Sequence, residues 1–170
     1  YETTKTLLET DTTTGFDLNY RSKLWTEATA QAAYDDLLPA VDVLFAPERD
    51  ARSILGVDGD AASIAGTLRT RYDCETVVVT RGADGATAST AETTVEQPAF
   101  DTETLDPIGT GDAFVGAFLS QYVEDASIER ALEYGAAAAA LKRTIAGDVA
   151  VITEAEVEAV IDQSHGGISR

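Results

Sequence analysis

The run Asp106-Pro107-Ile108-Gly109-Thr110-Gly111-Asp112-Ala113-Phe114 leads directly into Val115-Gly116-Ala117-Phe118-Leu119, which reads as a tight turn entering a helix. The two glycines let backbone N–H groups converge on a bound anion with no Cβ in the way, and the start of a helix adds its partial positive charge. Asp112 falls in the first helical turn, beside that anion pocket. A carboxylate there would repel the anion unless it faces a hydroxyl about to be phosphorylated. Phosphoryl transfer passes through a loose transition state, so most of the catalysis is positioning and charge neutralisation. Negative charge is favoured at a helix N-terminus, so Asp112 is suited to orient the attacking hydroxyl and accept its proton late. Gly109 to Asp112 also suit a plain tight turn with a favourable first-turn acid, because short glycine motifs are common.

Two further polar turns follow apolar runs: Asp17-Leu18-Asn19-Tyr20-Arg21 and Thr80-Arg81-Gly82-Ala83-Asp84-Gly85. The spacing predicts the end of a helix over 1–9, a short strand from Gly15 to Leu18, and a helix through Leu38 capped by Thr26. A buried strand is expected at Val41 to Phe45, with Pro47 as the first helical residue after it. A helix from about Asp60 to Tyr72 precedes the β-branched run Thr76 to Thr80, and Gly82 and Gly85 lead into a hairpin of Ala86–Ser89 and Thr94–Gln97. Three helices complete the chain: Gly111 to Val123, Ile128 to about Thr144, and Glu154 to Ile161. Strands alternating with helices imply an α/β fold, a mostly parallel sheet covered on both faces. In such sheets ligands bind beyond the carboxyl ends of the strands, where all three turns fall.

The chain has 170 residues, enough for one sizeable core. Its net charge of −18, from 12 basic and 30 acidic residues, argues against nucleic acid or an anionic membrane as partner. The acids are dispersed, with only Lys5, Lys23 and Lys142 as lysines, a balance that reads as adaptation to high salt. The single cysteine, Cys74, excludes an internal disulfide and suits a reducing, cytoplasmic compartment. No apolar run approaches the roughly 18–20 residues of a membrane span. The chain opens at Tyr1 and contains no methionine, which reads as a fragment or a processed chain. Phe16 and Trp25 are expected in the core, Cys74 as a small buried residue, and His165 as irrelevant to function.

Asp-Pro-Ile-Gly-Thr-Gly-Asp-Ala-Phe-Val-Gly-Ala-Phe, residues 106–118, resembles the second signature of the ribokinase-like (PfkB) sugar kinases. Thr80 to Gly85 resembles that family's nucleotide-binding turn at the usual distance upstream. Phe16-Asp17-Leu18-Asn19-Tyr20-Arg21-Ser22-Lys23-Leu24-Trp25 looks like the Asn-x-Arg-x-x-Leu-Trp segment of 2-keto-3-deoxygluconate kinases, and Ala140 to Asp148 is similar to their C-terminal Gly-Asp segment. The resemblance implies a three-layer α/β/α ribokinase-like fold, with residues 1–170 as its C-terminal, nucleotide-binding part. It implies Asp112 as catalytic base and the amides of Gly109, Thr110 and Gly111 as an anion hole. Thr80, Arg81, Gly82, Ala83, Asp84 and Gly85 would line the ATP site, with Ala136 in the small-residue tract beside adenine. Asn19 and Arg21 would lie between nucleotide and sugar acid, and Asp148 would hold substrate hydroxyls. For three of these a simpler reading stays open: a surface ion pair for Arg21, a turn aspartate for Asp148, and close helix packing for Ala136.

The chain departs from the pattern in two places. Where the family commonly carries Asn-x-x-Glu, this sequence reads Pro47-Glu48-Arg49-Asp50, so no metal ligand is assigned, although Mg²⁺ is expected to travel with ATP. The family's early strands, β lid and Gly-Gly sugar-binding turn have no counterpart here. The expected activity is ATP-dependent phosphorylation of 2-keto-3-deoxygluconate, or its galactonate epimer, at a primary hydroxyl. A fructokinase or ribokinase activity, or a non-catalytic nucleotide-binding fragment, are the alternatives. Pairing with a second copy stays open, since relatives often pair through the missing lid.

Overall fold

Three consecutive strands rich in Val, Leu, Phe and Thr set the frame of the computed structural model, which describes residues 1–166. Strands β1 (Gly15–Asp17), β2 (Val43–Pro47) and β3 (Thr76–Thr80) pair in parallel, and β4 (Ala86–Ser89) and β5 (Thr94–Gln97) extend the sheet in the order β1-β2-β3-β4-β5. The register sets Phe16 beside Leu44 and Leu44 beside Val77, so one apolar row crosses all three strands. Near-continuous burial along β2 and β3 is what a parallel sheet covered on both faces requires. The expected α/β class and mostly parallel sheet are observed.

Helices α1 (Glu2–Leu8), α2 (Glu27–Leu37), α3 (Glu48–Ser53) and α4 (Ala61–Tyr72) alternate with the strands, and α5 (Thr110–Tyr122), α6 (Ile128–Arg143) and α7 (Glu154–Gly166) follow them. The chain divides into two compact units: residues 1–81 with 87–95, and residues 82–86 with the chain from Glu96 onward. In the first unit, Leu44, Ala46, Val77 and Val79 of the sheet pack with Ala30 of α2 and Ile64, Ala65 and Leu68 of α4. In the second, Tyr134, Ala137 and Ala138 of α6 pack with Val157 and Ile161 of α7.

Some expected details shift. The second strand starts at Val43 rather than Val41, because Leu38–Ala40 form a short 3-10 turn that ends at Val41 and the Asp42 carboxylate accepts from the backbone N–H of Thr14 at 2.7 Å. Pro47 closes that strand and caps α3, rather than being its first residue. Trp25 is not a core residue: it is 40% exposed. Phe16 is half-buried and meets Tyr34 edge-on, with ring centroids 6.0 Å apart. Cys74 is buried as expected. His165 pairs with Glu133 at 2.9 Å, a bond between α7 and α6.

Candidate active site

The site begins with a difference between helix starts. Helices α2, α4 and α6 each begin with a side chain that binds an amide of the first turn: Thr26 on Thr29, Asp60 on Ser63, Ser127 on Arg130. Helix α5, like the short helices α1 and α3, has no side-chain cap, and its N-cap is Gly109, in the left-handed conformation at φ 77°. The Thr110 amide donates to Pro107 O at 3.3 Å. Gly111 and Asp112 fall in the first turn, where α-helical geometry gives an N–H no partner inside the helix. A Cβ built on Gly111 would meet nothing within 4 Å, so the first turn is open on that side, whereas Gly109 at the N-cap is covered by Asp148 and the Lys142 stem. Uncapped amides, a helix dipole and absent side-chain bulk together make a fitting cradle for a phosphate group.

The turn ahead of α5 is held from several sides. Asp106 Oδ1 accepts from the Ile108 amide at 3.0 Å and Oδ2 from the Gly147 amide at 2.9 Å. These two bonds, in that order, hold the Asp106 carboxyl below the usual carboxylate range, with the nearby charge of Lys142 adding to the effect. The carbonyl of Arg143, the last residue of α6, accepts from the amides of Leu105 and Asp106, while its guanidinium donates to Phe100 O at 2.8 Å. A Cβ on Gly109 would lie 2.5 Å from Asp148 O. The end of α6 and the loop after it thus fix the turn that starts α5.

Among the residues expected at the site, Gly109, Asp112 and Asp148 line one cavity of about 610 Å³. Asp112 and Asp148 are exposed. The cavity continues along α5 past Gly116 and Ser120, and its other wall is the Tyr134, Ala138 and Lys142 face of α6. Ala136 is buried but does not line this cavity. Its neighbour Gly135 lies against Phe114, where a Cβ would come within 3.0 Å of the carbonyl, so close packing of α5 on α6 accounts for small residues there.

In the same unit, Gly82, Ala83 and Asp84 form an exposed 3-10 turn. Gly85, at φ 90°, is obligatory: a Cβ there would strike Gln97 O at 2.0 Å. In the other unit, Asn19 and Arg21 are exposed just beyond β1, and Thr80 ends β3 with Arg81 following it. Parallel pairing puts the ends of β1 and β3 on the same side of the sheet. Asn19 adopts φ 34°, a left-handed conformation that asparagine tolerates better than most residues.

Lys142 was not expected at the site. It is 1% exposed and lines the cavity, with Nζ donating to Ile145 O at 3.0 Å. A lysine in the last turn of a helix ordinarily reads as a solvated partner of the helix dipole, so only its i+4 spacing from Ala138 and Tyr134 could have signalled an inward position. Among the described residues no three His, Cys, Asp or Glu side chains are grouped to hold a metal ion. Among them, too, no helix is long and apolar enough to cross a membrane.

Residues 1–155 match the model of the pfkB family of carbohydrate kinases. The chain is 57% identical over 173 residues to the 2-dehydro-3-deoxygalactonokinase of Haloferax volcanii, covering 99% of this chain and 54% of that protein. It is 37% identical over 108 residues to the ATP-dependent ribose-1-phosphate kinase of Halopiger xanaduensis, covering 64% of this chain and 34% of that protein. Among solved structures, the 2-dehydro-3-deoxygluconokinase of Thermotoga maritima matches with a TM-score of 0.86 and 28% identity, over 95% of this chain and 53% of that one. The chain therefore spans about half the length, or less, of the relatives it matches.

Proposed function

We propose, from the premise that this chain belongs to the pfkB family of carbohydrate kinases, that it is the nucleotide-binding part of an ATP-dependent kinase acting on a 2-keto-3-deoxy sugar acid. The galactonate or gluconate form would be phosphorylated at a primary hydroxyl. The observation that carries the reading is Asp112, in the first turn of a helix without a side-chain cap, on the wall of the cavity that also holds Asp148. The similarity to a named 2-dehydro-3-deoxygalactonokinase supports the substrate class.

In this reading the amides of Gly109 and Gly111 receive the phosphoryl group as its charge spreads over the equatorial oxygens, and the Thr110 amide joins them by giving up its 3.3 Å bond to Pro107 O. Asp112 orients the acceptor hydroxyl and takes its proton. Asp148 binds sugar hydroxyls from the same wall. Arg21 suits a carboxylate or phosphate, because a guanidinium binds either through two parallel bonds. Thr80 to Gly85 would take the nucleotide. Mg²⁺ would neutralise charge on the ATP phosphates and arrive bound to them.

The test is Asp112→Asn in the full-length protein, with ADP release followed on both sugar acids and on ribose and fructose. Turnover of the acids should fall by about 10²–10⁴-fold, the usual worth of a general base, while ATP affinity measured by calorimetry stays within a few-fold. Undiminished turnover removes Asp112 from the chemistry. A wild type that prefers fructose or ribose replaces the sugar-acid reading with a neutral-sugar kinase. A wild type that binds ATP and transfers nothing replaces it with a nucleotide-binding module.

A further inference from the structure

We infer that Lys142 is a positioning residue for the transfer: its buried side chain, bound to the loop after α6 and packed under Gly109, sets the turn that presents the first amides of α5. The inference rests on the reading of the α5 mouth as the phosphoryl site.

A lysine is almost never fully buried unless it is paired or put to use, yet Lys142 is 1% exposed. Its Nζ donates to Ile145 O at 3.0 Å, which closes the chain after α6 back onto the helix. Its Cε lies 3.3 Å from where a Gly109 Cβ would stand, so the aliphatic stem forms the floor of the turn. Two loops meet there. The Asp106 carboxylate joins them by accepting from Ile108 and Gly147, and Lys142 contributes positive charge to that carboxylate. Gly109, Asp112, Lys142 and Asp148 then face one cavity.

If the side chain only filled space, a methionine would serve as well. A fixed cation in a water-poor place does something methionine cannot. It adds positive field at the Asp106 carboxylate, which the Ile108 and Gly147 amides already hold below the usual carboxylate range, and it favours an anion at the adjacent amides.

Three variants of the full-length protein separate charge from shape. Lys142→Met keeps the volume, Lys142→Gln keeps a donor for Ile145 O without the charge, and Lys142→Arg keeps the charge. The expected result is a kcat about 10–100-fold lower for Met and Gln, the scale of a misplaced catalytic group. KM for the sugar acid should stay within about threefold of wild type. Lys142→Arg should recover most of the loss, and all three variants should melt within a few degrees of wild type. Wild-type kcat in Lys142→Gln overturns the inference, as does equal impairment of all three variants together with a lowered melting point, which would make Lys142 scaffold only. Should Lys142→Met not fold, the contrast between Gln and Arg gives the same decision. A wild type that phosphorylates no sugar overturns the proposed function, and the inference with it; an active wild type with indifferent variants overturns the inference alone.

Discussion

Gly109 is the residue on which the geometry of the site turns. Its φ of 77° costs any other L-residue about 1–2 kcal/mol, and a Cβ would sit 2.5 Å from Asp148 O, closer than folded chains allow. Gly109→Ala should therefore push the 147–148 loop away and destabilise the chain by about 2–3 kcal/mol, from left-handed strain plus the displaced loop. Gly111→Ala is the control, since nothing lies within 4 Å of its Cβ and the residue is inside a helix, where alanine is the better former. Urea unfolding decides the matter: a lowered midpoint for Gly109→Ala beside an unchanged or raised one for Gly111→Ala is expected. Equal midpoints would mean that the close approach to Asp148 is absent in solution. At this scale the sequence is readable where chemistry demands rare residues, as in the two glycines and Asp112. It is unreadable where an ordinary residue turns inward. Lys142 has the composition of a solvated helix end, and only the packing beneath Gly109 reveals otherwise.

Helices α2 and α4 are tied across by one buried phenol. Tyr72, at the end of α4, donates to Asp35 Oδ1 of α2 at 2.6 Å. Burial first, and then the bond to Asp35, push its phenol from an ordinary 10.0 up to about 12. The folded state thus holds this proton more tightly than the unfolded chain does. The stabilisation is complete below pH 10.0, declines as the unfolded phenol ionises, and is lost as pH passes about 12. Burial raises the Cys74 thiol from 9.0 to about 11, so it adds a decline of the same sign that starts earlier. Tyr72→Phe should flatten the loss of stability above pH 10.0 while leaving the Cys74 part, as read from urea midpoints through the alkaline range. Parallel curves for variant and wild type would remove Tyr72 from the alkaline transition. Elements such as β3 and the β4–β5 hairpin were legible because β-branched runs end at glycines and polar turns. The start of β2 was not, because Val41 is as apolar as Val43, and the 3-10 turn before it, with the bonds between Thr14 and residues 42–43, decides where pairing begins.

For the molecule as a whole the charge is the dominant quantity, and salt acts on it in two opposite ways. Ion pairs such as the exposed Lys5–Asp36, or the half-buried Arg52–Glu48 within α3, weaken as salt rises, but an exposed pair is worth only about 0–1 kcal/mol. Against them stand 30 acidic residues and 12 basic ones, leaving a net charge of −18 whose mutual repulsion favours expansion. At about 0.1 M salt that repulsion reaches roughly 10 Å, far enough to couple acids on neighbouring helices; at about 1 M it reaches roughly 3 Å. With acids outnumbering bases this far, the relief of repulsion outweighs the loss of the pairs. The melting temperature should therefore climb as potassium chloride is raised from about 0.1 to 2 M and fall when the salt is dialysed away. Most of the climb should come below about 1 M, where the screening length changes fastest. Replacing a few exposed acids such as Glu92, Glu124 and Asp125 by their amides should reduce the salt dependence without altering the fold, because these side chains are solvated. A melting curve indifferent to molar salt, in the parent chain or its amide variant, would show that the acids are spaced widely enough to ignore one another.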